Sequence, residues 1–305
     1  MHVAVLGEGA LGSVYGVLLA VRGKASLTFV VRRDVRGPIT ITRADRRAEA
    51  LTLVEPTRAL TVPHGADVVL CTVSALDLDD ATLAKLAAPG KPVVMLTPLL
   101  PKDFERVHGM LHGQLVAAMP SVVAYRNDEG AIRYWLPRVA TTLVEEPRPL
   151  SPVVDELVRD LTASGITARL HAGTQALNVA STVTFLPLAC ALDAAGSVDG
   201  LMRNRELLDL GLAAAKEAQA VVSGEKTAPW ADLLVRFLGP RTLSVGVALA
   251  RARSAEAIRY VEHHFGSKMH RQNVAMADAI TELARERGLP HTSLARLQIV
   301  LGTRP

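Results

Sequence analysis

The most constraining feature of this chain is a glycine pattern, Gly7-Glu8-Gly9-Ala10-Leu11-Gly12, placed between an apolar run (His2–Leu6) and a stretch with helical spacing (Ala10–Val21). A short apolar run ending at glycine reads as a buried parallel strand. In such a turn the first glycine permits the bend out of the strand. The second leaves room for a pyrophosphate, and the third lets the helix pack closely on the strand. The helix N-terminus then offers free N–H groups to an anion. Ser26–Val31 supplies the next strand, so the segment is a strand–turn–helix–strand unit, as a βαβ crossover requires. The pattern predicts a Rossmann dinucleotide site in which Gly7, Gly9, Ala10, Leu11 and Gly12 line the phosphates. A glycine turn without a cofactor is the plainer alternative. Glu8 is out of character, because a carboxylate beside a pyrophosphate repels it; it must face solvent or be paired.

The end of the second strand selects the cofactor. An NAD site places Asp or Glu there for the ribose hydroxyls. This chain has Arg32 and Arg33 and no acid before Asp34; the paired guanidiniums suit the 2′-phosphate of NADP by charge and by forked hydrogen bonding, and a solvated loop shared with Arg36 is the plainer alternative. Thr72, at the end of a later strand, is placed with the cofactor group.

Further strands are expected at Asp67–Val73, Pro92–Leu96, Leu115–Met119 and Ile166–Leu170, with helices near Asp79–Leu86, Lys102–Leu111 and Ser151–Ser164. Ile132–Leu136 and Thr141–Glu145 read as an antiparallel pair joined around Pro137. Strands alternating with helices favour a parallel sheet covered on both faces. After His171 the pattern becomes helical throughout: Gln175–Ala195, Arg205–Ser223, Trp230–Leu238, one long helix over Ala255–Arg287, and Leu294–Leu301. The expected organisation is an α/β N-terminal Rossmann domain over residues 1–171 and an all-α C-terminal domain over residues 172–305.

Net charge is +4 and aromatics are 4% of 305 residues. The cations are scattered without aromatic interleaving, which argues against nucleic acid and leaves an anionic small molecule as the partner. Leu170–Leu192 lacks charged residues, yet Asn178, Thr182 and Pro187 would leave polar groups unsatisfied in lipid, so a buried helix is expected rather than a membrane span. Cys71 and Cys190 have no metal or disulfide spacing, and no secretory signal pattern opens the chain; two reduced thiols in a cytoplasmic protein are expected.

The chain resembles the ketopantoate reductase family. The resemblance rests on VLGEGALGSVYG, on Arg32, on the strand layout to residue 171, and on a helical second half with Phe185-Leu186-Pro187-Leu188, Lys216-Glu217 and a helix around Ile258–Phe265. It implies a C-terminal domain like that of 6-phosphogluconate dehydrogenase, and NADPH-dependent reduction of a small keto acid in a cleft between the domains. Ser244 corresponds to a serine that helps hold substrate. Departures from the family pattern are also plain. Ser74 stands for a lysine, Pro98-Leu99 for Asn-Gly, and Asn178 for the catalytic lysine. Thr182 and Leu186 stand for substrate-binding asparagines, and the acidic residue of the long helix falls near Ala257. The cofactor half matches the family and the catalytic half does not, since Asn178 cannot protonate an alkoxide as lysine does.

A replacement proton donor is sought on the last long helix. His264, Lys268 and Gln272 are four residues apart, which on one continuous helix places them on one face. Lys268 and His264 would then supply a proton and a cation to a developing anion; a solvated polar face is the plainer alternative. No metal site is indicated. Two functions remain open, an NADP-dependent reductase and a non-catalytic NADP-binding protein, with a homodimer as one form of assembly.

Overall fold

The computed structural model describes residues 1–33, 35–44, 49–137, 140–147, 149, 151–222, 239–253, 255–266 and 269–303. The chain divides into two compact units, Met1–Gln175 and Ala176–Pro305.

The first unit is built on twelve strands among the described residues: β1 (His2–Leu6), β2 (Ser26–Val30), β3 (Ile39–Arg43), β4 (Ala50–Leu53), β5 (Arg58–Ala59), β6 (Val68–Cys71), β7 (Val93–Met95), β8 (Leu115–Met119), β9 (Val123–Arg126), β10 (Ile132–Trp135), β11 (Thr142–Glu145) and β12 (Ala168–His171). Eight form one sheet in the order β12-β11-β8-β7-β6-β1-β2-β5, and four form a second in the order β4-β3-β10-β9. The large sheet is parallel except where β11 meets β8. Its central strands are buried along their length, as expected of strands covered on both faces.

Helix α1 (Ala10–Val21) packs on β1 and β2 and also under the small sheet. Both of its sides are therefore apolar: every residue from Gly12 to Leu19 is buried, the pattern of a helix enclosed all round. Its one buried phenol is satisfied, with Tyr15 Oη 2.8 Å from Thr142 Oγ1 on β11. Helices α2 (Asp80–Ala87), α3 (Pro101–Leu111) and α4 (Pro152–Ala163) complete the unit.

The expected pairing of the segments around Pro137 does not form. β10 pairs antiparallel with β9 and parallel with β3, whereas β11 pairs with β8 and β12. The chain around Pro137 carries it from one sheet to the other. The short strands β3, β4, β5 and β9 have no long apolar run; β3, β4 and β9 acquire their state by covering α1, and β5 by adding to β2 at the edge of the large sheet.

The second unit is helical. Its described helices are α5 (Thr174–Ala195, which starts in the first unit), α6 (Val198–Arg203), α7 (Arg205–Val222), α8 (Pro240–Arg253), α9 (Ala255–Phe265), α10 (His270–Glu286) and α11 (Thr292–Gly302). The expected helix over Trp230–Leu238 lies outside the described residues. The boundary falls four residues after 171 because the first turn of α5 is tethered to the first unit. Glu145 accepts from the backbone N–H of Gly173 at 2.7 Å and of Gln175 at 2.9 Å, and Gln175 Nε2 donates to the Leu99 carbonyl. α5 is long and apolar enough to cross a membrane by length and composition, but most of it is buried within the protein. Helices α7, α10 and α11 pack on one another. The Glu217 carboxylate caps α11 by accepting from Ser293 and Leu294 N–H groups at 3.0 and 2.9 Å.

Candidate dinucleotide site

The two strand ends at the point where the strand order reverses are those of β1 and β6, where open α/β sheets bind ligands. The glycine turn lies there, and each glycine has its own geometric reason. Gly7 has φ +98°, and an added Cβ would sit 2.7 Å from Val73 Cγ1. Gly12 is tighter still, with a Cβ falling 2.0 Å from the Gly7 carbonyl oxygen and 2.5 Å from Thr72 Oγ1. Gly9 is the opposite case, because a Cβ there would meet nothing within 4 Å. It opens onto the space above the turn. The two close approaches fix the backbone, and the open position leaves a lane to it.

Gly9 is the N-cap of α1, has no side chain to bond the helix, and is followed by no acid in the first turn. The first N–H groups of a helix have no intrahelical partners, so those of Ala10, Leu11 and Gly12 are poised for an anion. In contrast, the N-terminus of α2 is closed by the Asp79 carboxylate, which accepts from the Thr82 N–H. Thr72 does not point its hydroxyl outward for a ligand: Oγ1 donates to the Leu6 carbonyl at 3.0 Å and lies 3.3 Å from the Gly7 carbonyl. It buttresses the turn.

Glu8 is paired. Arg58 from β5 grips its carboxylate with two N–H groups, Nε to Oε2 at 2.6 Å and Nη2 to Oε1 at 2.9 Å, and both side chains are largely buried. The Glu8 carbonyl accepts from Arg126 Nη2 at 3.1 Å. Arg58 was missed in the sequence because fifty residues separate it from Glu8; an acid in a phosphate turn was the only available signal.

Arg32 and Arg33 follow β2 and are exposed. Arg32 Nη2 lies 3.1 Å from Asp77 Oδ1 and 3.2 Å from the Asp77 carbonyl oxygen. Asp77 belongs to a single 3-10 turn, Ala75–Asp77, after β6. Thus an acid reaches the end of β2 through space although none precedes Asp34 there in the sequence. Ser74 caps that turn by accepting from the Leu76 N–H.

The residues proposed for chemistry lie on the helical unit. Asn178 is buried on α5. Ser244, on α8, donates its hydroxyl to the Pro240 carbonyl at 2.8 Å, a bond within its own helix. The expected single helix over Ala255–Arg287 is two helices, broken at Gly266. The Gly266 N–H bonds Glu262 O, and a Cβ on Gly266 would lie 2.2 Å from that oxygen. His264 therefore sits on α9 and Gln272 on α10, and the argument that they share one face with Lys268 fails. Lys268 and the His264 side chain lie outside the described residues.

Beside the break is a polar cluster that the sequence did not reveal. Asp193, fully buried on α5, has His270 Nδ1 at 2.9 Å and accepts from Asn273 Nδ2 at 3.1 Å. Asn273 Nδ2 also lies 3.1 Å from the Phe265 carbonyl oxygen, the last of α9. These side chains fasten the end of α9 and the start of α10 to α5, and they satisfy a carboxylate that burial alone would penalise. Both cysteines are free and buried, and among the described residues no His, Cys, Asp or Glu cluster could hold a metal ion.

Residues 3–99 match the family model described as ketopantoate reductase PanE/ApbA. No protein of curated function matches the chain in sequence. Among solved structures, a PanE/ApbA family ketopantoate reductase from Ralstonia eutropha JMP134 is similar with TM-score 0.72 at 17% identity, over 99% of this chain and 97% of that one. The 2-dehydropantoate 2-reductase from Geobacter metallireducens GS-15 gives TM-score 0.69 at 15% identity, over 99% of both chains. D-mandelate dehydrogenase in complex with NADH gives TM-score 0.70 at 11% identity, over 99% and 98%. The chain thus has the ketopantoate reductase fold, an α/β unit followed by a helical one.

Proposed function

We propose that this chain, whose residues 3–99 match the ketopantoate reductase family, is an NADP(H)-dependent oxidoreductase that reduces a small keto acid or a related carbonyl or imine. The observation that carries the reading is the glycine turn at the reversal of strand order: two glycines that no other residue could replace without a clash, flanking one that opens outward. Together with the uncapped N-terminus of α1, this geometry suits a pyrophosphate. Preference for the 2′-phosphate rests on Arg32 and Arg33, with Arg32 exchanging Asp77 for the phosphate. When bound, the nicotinamide supplies the hydride. The chain must bind and orient the two reactants and stabilise the anion that forms. Lys268 and His264 remain the groups proposed for that last task, on their positions in the chain near the α9–α10 break. Asn178 occupies the place of the family's lysine and can hydrogen-bond a substrate but not protonate it. Ser244 is proposed for substrate contact: its hydroxyl can accept from a substrate donor while bonded to Pro240, and can donate to substrate only by leaving it. The protein is proposed to work in the cytoplasm and to assemble as a homodimer; a ketopantoate reductase of this fold from Staphylococcus aureus is described as dimeric.

The test is NADPH consumption against a panel of 2-keto acids, diketones and imines, beside direct titration of NADPH and NADH. Turnover of any member supports the reductase. Tight NADPH binding with no turnover across the panel would move the assignment to a non-catalytic NADP-binding protein. Absence of binding to either dinucleotide would refute both.

A further inference from the structure

The Glu8–Arg58 pair has no role in the proposed chemistry, yet it sits inside the phosphate turn. Two parallel N–H···O bonds at 2.6 and 2.9 Å make the forked geometry that only arginine offers a carboxylate. The remaining terminal nitrogen, Nη1, donates to the Gly37 carbonyl at 3.0 Å. Arg58 is thus fixed on three sides, at the edge strand of the sheet next to β2. Side-chain exposure is 11% for Arg58 and 14% for Glu8, so water screens the pair poorly.

Glu8 lies between Gly7, which makes the turn, and Gly9, which opens to the ligand space. An unpaired carboxylate at this point would oppose every phosphate that entered. One like charge at about 8 Å and an effective dielectric constant of about 20 is worth roughly thirtyfold in affinity; ionic screening and the Arg126 guanidinium at the Glu8 carbonyl hold the sum over a pyrophosphate near that size. We infer that Arg58 is a positioning residue for the dinucleotide: it neutralises Glu8 and thereby keeps the glycine turn receptive to phosphate. The inference rests on the dinucleotide reading above. Arg58 acts through Glu8 and need not touch the cofactor.

A mechanical tether and a charge mask make different predictions. If the pair only holds the turn in shape, removing either partner breaks the same tether, and Arg58→Gln, Glu8→Gln and the double variant all weaken binding alike. If Arg58 masks a charge, the signs separate. Arg58→Gln leaves the carboxylate bare and should weaken NADPH by roughly ten- to thirtyfold at low salt. Glu8→Gln leaves an extra cation and should bind at least as well as the unmutated chain. The double variant restores neutrality and should return to within about threefold of the unmutated chain, roughly the spread expected when coupled side chains are exchanged together. Arg58→Lys keeps the charge without the fork and should retain most of the affinity.

The experiment is calorimetric titration of the full-length variants with NADPH at low and high ionic strength, with thermal unfolding in parallel. The loss in Arg58→Gln should shrink in high salt, as an electrostatic penalty does. Should Arg58→Gln fail to fold with its carboxylate unpaired, the double variant and Glu8→Gln still decide the matter, because the tether predicts weak binding in both. Equal weakening of all three variants, or no change in any, overturns the inference while leaving the cofactor reading intact. An unmutated chain that binds neither NADPH nor NADH overturns the cofactor reading and this inference with it.

Discussion

Replacing Gly9 by valine separates folding from binding. In the folded chain an added Cβ at Gly9 meets no atom within 4 Å, and the backbone there is extended (φ −73°, ψ −174°), a region that β-branched residues favour. The added Cβ therefore creates no clash. Its cost to stability is the weaker N-cap, about 1 kcal/mol or less, which for a unit of this size lowers Tm by about 2–4 °C. The same side chain occupies the approach to the N–H groups of α1, and dinucleotide affinity should fall by at least about 100-fold, or about 2.7 kcal/mol. Gly12→Ala is the control of opposite character. Its Cβ would be 2.0 Å from the Gly7 carbonyl oxygen, so the helix must shift and stability should fall by about 1–3 kcal/mol, as overpacking does. Calorimetric titration and thermal unfolding of both variants are the assay. Unchanged NADPH binding in Gly9→Val would refute the placement of the phosphate. A collapse of its Tm would refute the claim that the position is open.

Three further outcomes are expected. Arg32→Asp should weaken NADPH relative to NADH by about 1.5 kcal/mol, the low end for a charged hydrogen bond, because Asp77 already competes for the guanidinium; equal affinities in the unmutated chain would remove Arg32 from the cofactor site. Lys268→Ala should lower kcat by about 100- to 10,000-fold, as loss of a general acid does, with NADPH affinity unchanged; normal turnover would leave Lys268 without a catalytic role. Burial pushes the Tyr15 hydroxyl and the Cys71 thiol each up to about 12. Both unfolded values are lower, about 10 and 8.5, so the unfolded chain releases its protons first. The stability these groups contribute is complete below about pH 8.5 and is lost as pH rises toward 12. Tm should fall progressively above about pH 9, and a Tm flat to pH 11 would contradict the burial of these groups.

The α/β-then-helical order was legible because each half has a strong local signal. β1, α1 and β2 follow from an apolar run, a glycine turn and a helical period within the first thirty residues. The interruption at Gly266 was not legible, since the apolar spacing of α9 and α10 continues across it and one glycine does not by itself end a helix. What fixes the break is tertiary: Asn273 at the Phe265 carbonyl, and Asp193 holding both Asn273 and His270. Of the small sheet only β10 was legible as a strand; β3, β4 and β9 are short, and their pairing with it is decided by the need to cover α1.

The sequence by itself determined the glycine turn, the strand and helix on either side of it, and the arginines at the end of β2. These are local properties, set by backbone freedom and by periods of two and 3.6 residues. Only the tertiary structure decided how the charges are matched. Arg58 reaches Glu8 across fifty residues, and Asp77 reaches Arg32 across forty-five. Side-chain period carries no information about partners on other strands, whereas the partner of a poorly solvated charge is chosen by distance in the folded chain. Hence the turn proposed to hold a phosphate could be found in the sequence, and the electrostatic balance around it could not.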